Sequence, residues 1–76
     1  MVDLFQINDL LRFYRSQYPN MRIKSSYNPH GMYMNVWIQC NEHKGQFTFV
    51  CENTREAESG INLSVIEFLA KWGYDQ

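Results

Sequence analysis

Apolar residues at Ile7, Leu10, Leu11 and Tyr14 follow the three-and-four spacing of one helix face, which predicts a helix over residues 3–17. Asp3 with Gln6 three positions later is a capping-box pattern at its start, and Pro19-Asn20 stops it. From Met21 the period falls to two. Met21, Ile23, Ser25 and Tyr27 alternate with Arg22, Lys24 and Ser26, as in a half-buried strand. Asn28-Pro29-His30-Gly31 is turn chemistry. A second strand over residues 32–40 puts Met34, Val36, Ile38 and Cys40 on one face. Glu42-His43-Lys44-Gly45 reads as a hairpin loop, after which Phe47, Phe49 and Cys51 share a face of a third strand. Over residues 53–72, Ala57, Ile61, Val65, Phe68, Leu69 and Trp72 form the apolar face of a second helix, started by Asn53 with Glu56 three positions on. Gly60 costs that helix about 1 kcal/mol. It marks either a close approach to the first helix or the sheet, or a slight irregularity.

The expected register across the second hairpin pairs Asn41 with Gln46, so that Cys40 faces Phe47, Ile38 faces Phe49 and Val36 faces Cys51. All three pairs are apolar and lie on one side, as a sheet with one buried face requires. The two cysteines are then about 13 Å apart along the strands, beyond the reach of a disulfide. The expected fold is α+β: helix, three-stranded antiparallel meander, helix, both helices packed on one sheet face. Residues 1–76 form a single domain on this reading, with no linker, repeat or low-complexity segment.

So short a chain buries only about 60% of the surface its unfolded form exposes, and its core must be well packed. Five Phe, five Tyr and two Trp are more aromatic surface than such an interior easily hides. Some are therefore expected at a binding surface. Seven basic residues stand against eight acidic ones, a net charge of −1 that disfavours a purely electrostatic nucleic-acid binder. Cys40 and Cys51 are too few for a disulfide scaffold. No basic leader or run of about 18 apolar residues occurs, so a cytoplasmic or otherwise intracellular protein without membrane contact is expected. Glycine-rich phosphate loops, paired-histidine helices and nucleophile elbows are all missing, which argues against an enzyme. His30, His43, Cys40 and Cys51 match no zinc spacing, so neither metal, cofactor nor small-molecule substrate is expected.

Alternation sends Arg22, Lys24, Ser26, Tyr33, Asn35, Trp37, Gln39, Thr48 and Val50 to the outer sheet face. Tyr33 and Trp37 among Arg22, Lys24 and Gln39 suit contact with another protein, a second copy of the chain included. Stacked single-stranded bases, with Arg22 and Lys24 on the phosphates, are the alternative. A third reading has residues 73–76 folded over these rings, or the face simply amphipathic.

In this order of elements the chain resembles a double-stranded RNA-binding domain. Leu11-Arg12-Phe13-Tyr14-Arg15-Ser16-Gln17 is similar to the end of that family's first helix, and Pro29-His30-Gly31 to a shortened form of its groove-entering loop. Thr54-Arg55-Glu56-Ala57-Glu58 falls where the family has a lysine-rich helix start, with Ile61, Ile66 and Leu69 following in its apolar pattern. The resemblance implies RNA contacts from Arg12, Arg15, His30, Lys44 and Arg55. Here Arg55 is the only base at the helix start, and Glu56 and Glu58 would repel phosphates. A degenerate member used for protein contact or dimerisation is the expectation.

A second stretch, Ile7-Asn8-Asp9-Leu10-Leu11-Arg12 followed by three strands and a helix, is similar to small phage anti-CRISPR inhibitors. That resemblance implies an acidic surface at Glu52, Glu56 and Glu58 that blocks a host nucleic-acid-targeting nuclease. Favourable interaction of these acids with their own helix N-terminus is the simpler reading.

Overall fold

The structure, a computed structural model, describes residues 1–72, so the reading in which residues 73–76 fold over the outer-face rings lies outside the described residues. Five elements follow in order: α1 (Leu4–Gln17), β1 (Met21–Asn28), β2 (Tyr33–Cys40), β3 (His43–Val50) and α2 (Thr54–Trp72). Each helix starts where its capping residues stand. The Asp3 carboxylate accepts from the backbone N–H groups of Phe5 at 3.0 Å and Gln6 at 3.4 Å, filling donors that the first turn leaves open. At α2 the Asn53 side-chain oxygen accepts from the Glu56 N–H at 2.9 Å. The Glu56 carboxylate reaches back to the Glu52 N–H at 2.7 Å. The two starts are tied together by the Asp3 N–H, which donates to the Thr54 hydroxyl at 2.8 Å.

The sheet is an antiparallel meander of order β1-β2-β3. Ile23 opposes Ile38 and Ser25 opposes Val36 across β1 and β2. Met21, Ile23, Met34, Val36, Ile38 and Cys40 all turn to one face and are buried there. α1 packs over β1, α2 over β2 and β3, and the helices touch each other. Ile7 and Leu11 of α1 and Ala57, Ile61, Val65 and Phe68 of α2 complete the core. This is the α-β-β-β-α architecture that the periodicity predicts.

The second hairpin is tighter than expected. Cys40 pairs with His43, Ile38 with Gly45, Val36 with Phe47 and Met34 with Phe49. The turn is therefore Asn41 and Glu42 alone, and His43, Lys44 and Gly45 belong to β3. Asn41 makes this possible by taking a φ of 57°, a left-handed conformation that Asn tolerates better than most residues. The partner changes by four positions, an even number, so every side chain keeps its expected face. The cysteines end up farther apart than expected, Cys40 at the tight turn and Cys51 just past the far end of β3, where its N–H donates to the Met32 carbonyl at 2.9 Å. Both are buried free thiols.

Gly60 is a close-approach position: a Cβ there would stand 2.2 Å from the Phe49 ring, so α2 meets β3 through that gap. Ile66, expected in the apolar pattern of α2, is instead exposed. It stands a helical turn and a half away from Ile61, off the core-facing stripe on which Val65 and Phe68 lie.

Candidate functional site

The helices cover one side of the sheet, and the strand residues pointing the other way form four rows of three. The register aligns Arg22, Gln39 and Lys44 in the first row and Lys24, Trp37 and Gln46 in the second. Ser26, Asn35 and Thr48 follow, then Asn28, Tyr33 and Val50. Arg22, Lys24, Lys44, Gln46, Thr48 and Val50 are exposed, while Tyr33, Asn35, Trp37 and Gln39 on the central strand are half-buried between their neighbours. The expected set Arg22, Lys24, Tyr33, Trp37 and Gln39 is thus brought onto one surface.

The two rings of this face are held differently. Lys24 Nζ lies 5.7 Å from the Trp37 ring centroid, within cation–π range. Tyr33 folds against the β1–β2 turn, where a Cβ on Gly31 would meet its ring at 2.6 Å. The Tyr33 hydroxyl accepts from the Asn28 side-chain amide at 3.2 Å, and the Asn28 oxygen accepts from the Gly31 N–H at 3.0 Å. Between the rings, the Thr48 hydroxyl donates to the Asn35 oxygen at 2.6 Å.

Charge on the face is one-sided. Its three charged residues, Arg22, Lys24 and Lys44, are all cations gathered in the two rows around Trp37. None of its twelve positions is a carboxylate. Arg15 reaches this end from α1 and donates to the Ile23 carbonyl on the outer edge of β1 at 2.7 Å. A shallow depression of about 570 Å³ opens among Arg15, Arg22, Lys24, Trp37, Gln39 and Lys44. Sequence reasoning placed Lys44 in the hairpin loop and passed over Gln46. A two-residue loop between Cys40 and His43 would have put both on this face by parity.

The five cations implied for RNA do not converge. Arg12 and Arg15 lie in the last two turns of α1 and Lys44 beside the β2–β3 turn, at one end of the sheet. His30 and Arg55 lie at the opposite end, an eight-residue strand or about 23 Å away. Arg12 is also engaged in an exposed pair with Asp9 at 3.4 Å. The three acids of the second resemblance have local roles or separate settings. Glu56 closes the start of α2, Glu52 supplies the N–H it binds, and Glu58 is half-buried.

The helical layer carries a surface that sequence reasoning missed. Phe13 of α1 is 53% exposed and Ile66 of α2 61%. Phe13 packs edge-on against Tyr14, whose hydroxyl donates to the Asn62 side-chain oxygen, one turn before Ile66. These residues leave apolar surface exposed on the helical side of the molecule. Their helical phase, one position off the buried stripe, was the available signal.

Two groups have shifted proton affinities. Burial raises the Tyr14 pKa above its ordinary value, with Tyr18 adding to the effect. Burial also raises that of the Cys51 thiol, assisted by the Glu56 carboxylate. Both shifts disfavour the anion, so Cys51 is set up as an inert thiol rather than a nucleophile. Among the described residues no group of three or more His, Cys, Asp or Glu is arranged to hold a metal ion. No described helix is long and apolar enough to cross a membrane. No family model, curated protein or solved structure matches the chain.

Proposed function

We propose that this protein is a non-enzymatic binding module that holds another protein on the open outer face of its sheet. One observation carries the reading: two large aromatics, Tyr33 and Trp37, lie on the side of the sheet that neither helix covers, among cations and amides and without a carboxylate. Aromatic residues with Arg and amide neighbours are typical of the energetic centres of protein interfaces.

Contact with protein is favoured over base stacking because both rings are already engaged. Tyr33 lies on Gly31 with its hydroxyl bonded, and the Lys24 ammonium is drawn to Trp37. A stacking platform needs free ring faces. The α-β-β-β-α arrangement is compatible with a double-stranded RNA-binding fold turned to protein contact, since the cations such a fold would use are split between two ends of the molecule. Inhibition of a nuclease through Glu52, Glu56 and Glu58 has less support, because Glu56 is occupied as a helix cap.

Photo-crosslinking tests the reading. A photoreactive phenylalanine analogue at position 46, beside Trp37, is expected to capture a nuclease-resistant protein adduct in an extract of the source cells. The same analogue at position 63, on the outside of α2, is expected to capture none. Adducts from position 63 alone, or adducts that nuclease removes, would overturn it.

A further inference from the structure

We infer that the partner presents an acidic segment to the half of the sheet face around Trp37, with carboxylates meeting Arg22, Lys24 and Lys44. The inference rests on the proposed protein-binding role of that face and names the chemistry of what binds there. The whole chain is slightly acidic, yet this half-face is purely cationic. The seven acids of the described residues all lie off it. Asp3 and Asp9 belong to the α1 region, Glu52, Glu56, Glu58 and Glu67 to the α2 region, and Glu42 to the tight turn. The cations therefore have no carboxylate partner on their own face, and the structure's one charged pair among the described residues is Arg12 with Asp9, elsewhere.

Geometry narrows the segment. Arg22 and Lys24 are two residues apart on β1, a separation of about 7 Å along the strand. Lys44 lies two strands from Arg22, about 10 Å across the sheet. The group is compact, and the other two rows, with Ser26, Asn35, Thr48, Asn28, Tyr33 and Val50, carry no charge at all. A nucleic-acid strand laid along β2 would set phosphates over that neutral half without counter-charges. A short protein segment with two or three carboxylates within about 10 Å matches the cations and leaves the neutral half for apolar and amide contacts. Trp37 lies among the three cations and supplies the desolvated floor on which charge pairs gain strength.

The test uses a fluorescein-labelled deca-glutamate peptide and a labelled oligo-dT strand of similar charge, each titrated with the full chain at about 20 mM salt, where screening is weak. The expected result is that deca-glutamate binds more tightly than oligo-dT. Its affinity should fall by about tenfold or more in the Lys24→Glu/Lys44→Glu variant. Both substitutions are at exposed positions, and an unchanged circular dichroism spectrum and melting temperature verify the fold. Lack of deca-glutamate binding, retained binding by the charge-reversed variant, or tighter binding of oligo-dT would each overturn the inference. A protein adduct at position 46 without deca-glutamate binding defeats the acidic partner alone. Deca-glutamate binding without any such adduct defeats the protein-binding role.

Discussion

Gly45 shows how closely the two layers meet. A Cβ at this position would lie 2.9 Å from the ring of Phe68, which is fully buried and has nowhere to move. In a strand glycine is ordinarily a weakness, but here the missing side chain is the space an α2 aromatic occupies. Gly45→Ala is therefore expected to destabilise the fold by about 1–3 kcal/mol, as overpacking does, measured by urea denaturation. An unchanged midpoint would show that the layers are less tightly fitted. Two weak acids, the half-buried Tyr14 and the buried Cys51, bear on stability at alkaline pH. Tyr14 and Cys51 both have folded-state pKa values above their ordinary ones, so the folded chain holds their protons more tightly than the unfolded chain. Their contribution is complete below about pH 8, under the ordinary cysteine value of about 8.5, and declines as pH rises from there through the folded values. Denaturation midpoints should be level from pH 7 to about 8 and fall above it, with a shallower fall above about 10 in Tyr14→Phe. A midpoint that rises across this range would contradict the assignment.

The elements differ in how plainly their boundaries are written in the chain. Both helices begin at residues with a polar side chain able to take the first free N–H groups, Asp3 and Asn53, and the sequence names both. The strands are marked by a period of two, which fixes which residues share a face. Periodicity does not fix which residue opposes which. That depended on the turn, and Glu42-His43-Lys44-Gly45 looks like a loop because it holds three polar residues and a glycine. The structure instead turns on Asn41, whose short side chain tolerates a positive φ, and extends β3 backward by three residues. For this reason the sheet face was legible as a set of residues, whereas the basic row of Arg22, Gln39 and Lys44 was not. The exposed Phe13 and Ile66 were missed because the reading followed the core-facing stripes, from which both are absent, and Ile66 entered only through the resemblance's apolar pattern. Asn41→Val should cost about 1–2 kcal/mol, because a β-branched residue is strained at positive φ, while Asn41→Gly should be near neutral. Equal stabilities of the two variants by urea denaturation would mean that the turn is not what sets the register.

At the scale of the whole molecule, three of the seven cations are set apart from every acid of the described residues, although the net charge is close to zero. Arg22, Lys24 and Lys44 gather on the sheet face that neither helix covers. The acids of the described residues lie on the helices, at their starts or in the tight turn, and the other four cations also stand on the helices. On the proposed reading, this patch would orient the partner before contact, and the aromatic pair would then supply the desolvated area. Two surfaces are candidates for the proposed docking: the sheet face with Tyr33 and Trp37, and the helical side with the exposed Phe13 and Ile66. The central claim is that the sheet face is the one in use. The direct measurement is capture of protein from a nuclease-treated extract of the source cells by three forms of the chain, with retained proteins identified by mass spectrometry. These are the unaltered chain, Trp37→Ala and Phe13→Ala/Ile66→Ala, each verified as folded by circular dichroism. The expectation is that the unaltered chain and the helix variant both retain a protein that Trp37→Ala loses. A protein lost by the helix variant and kept by Trp37→Ala would contradict it and move the working surface to the other side of the molecule.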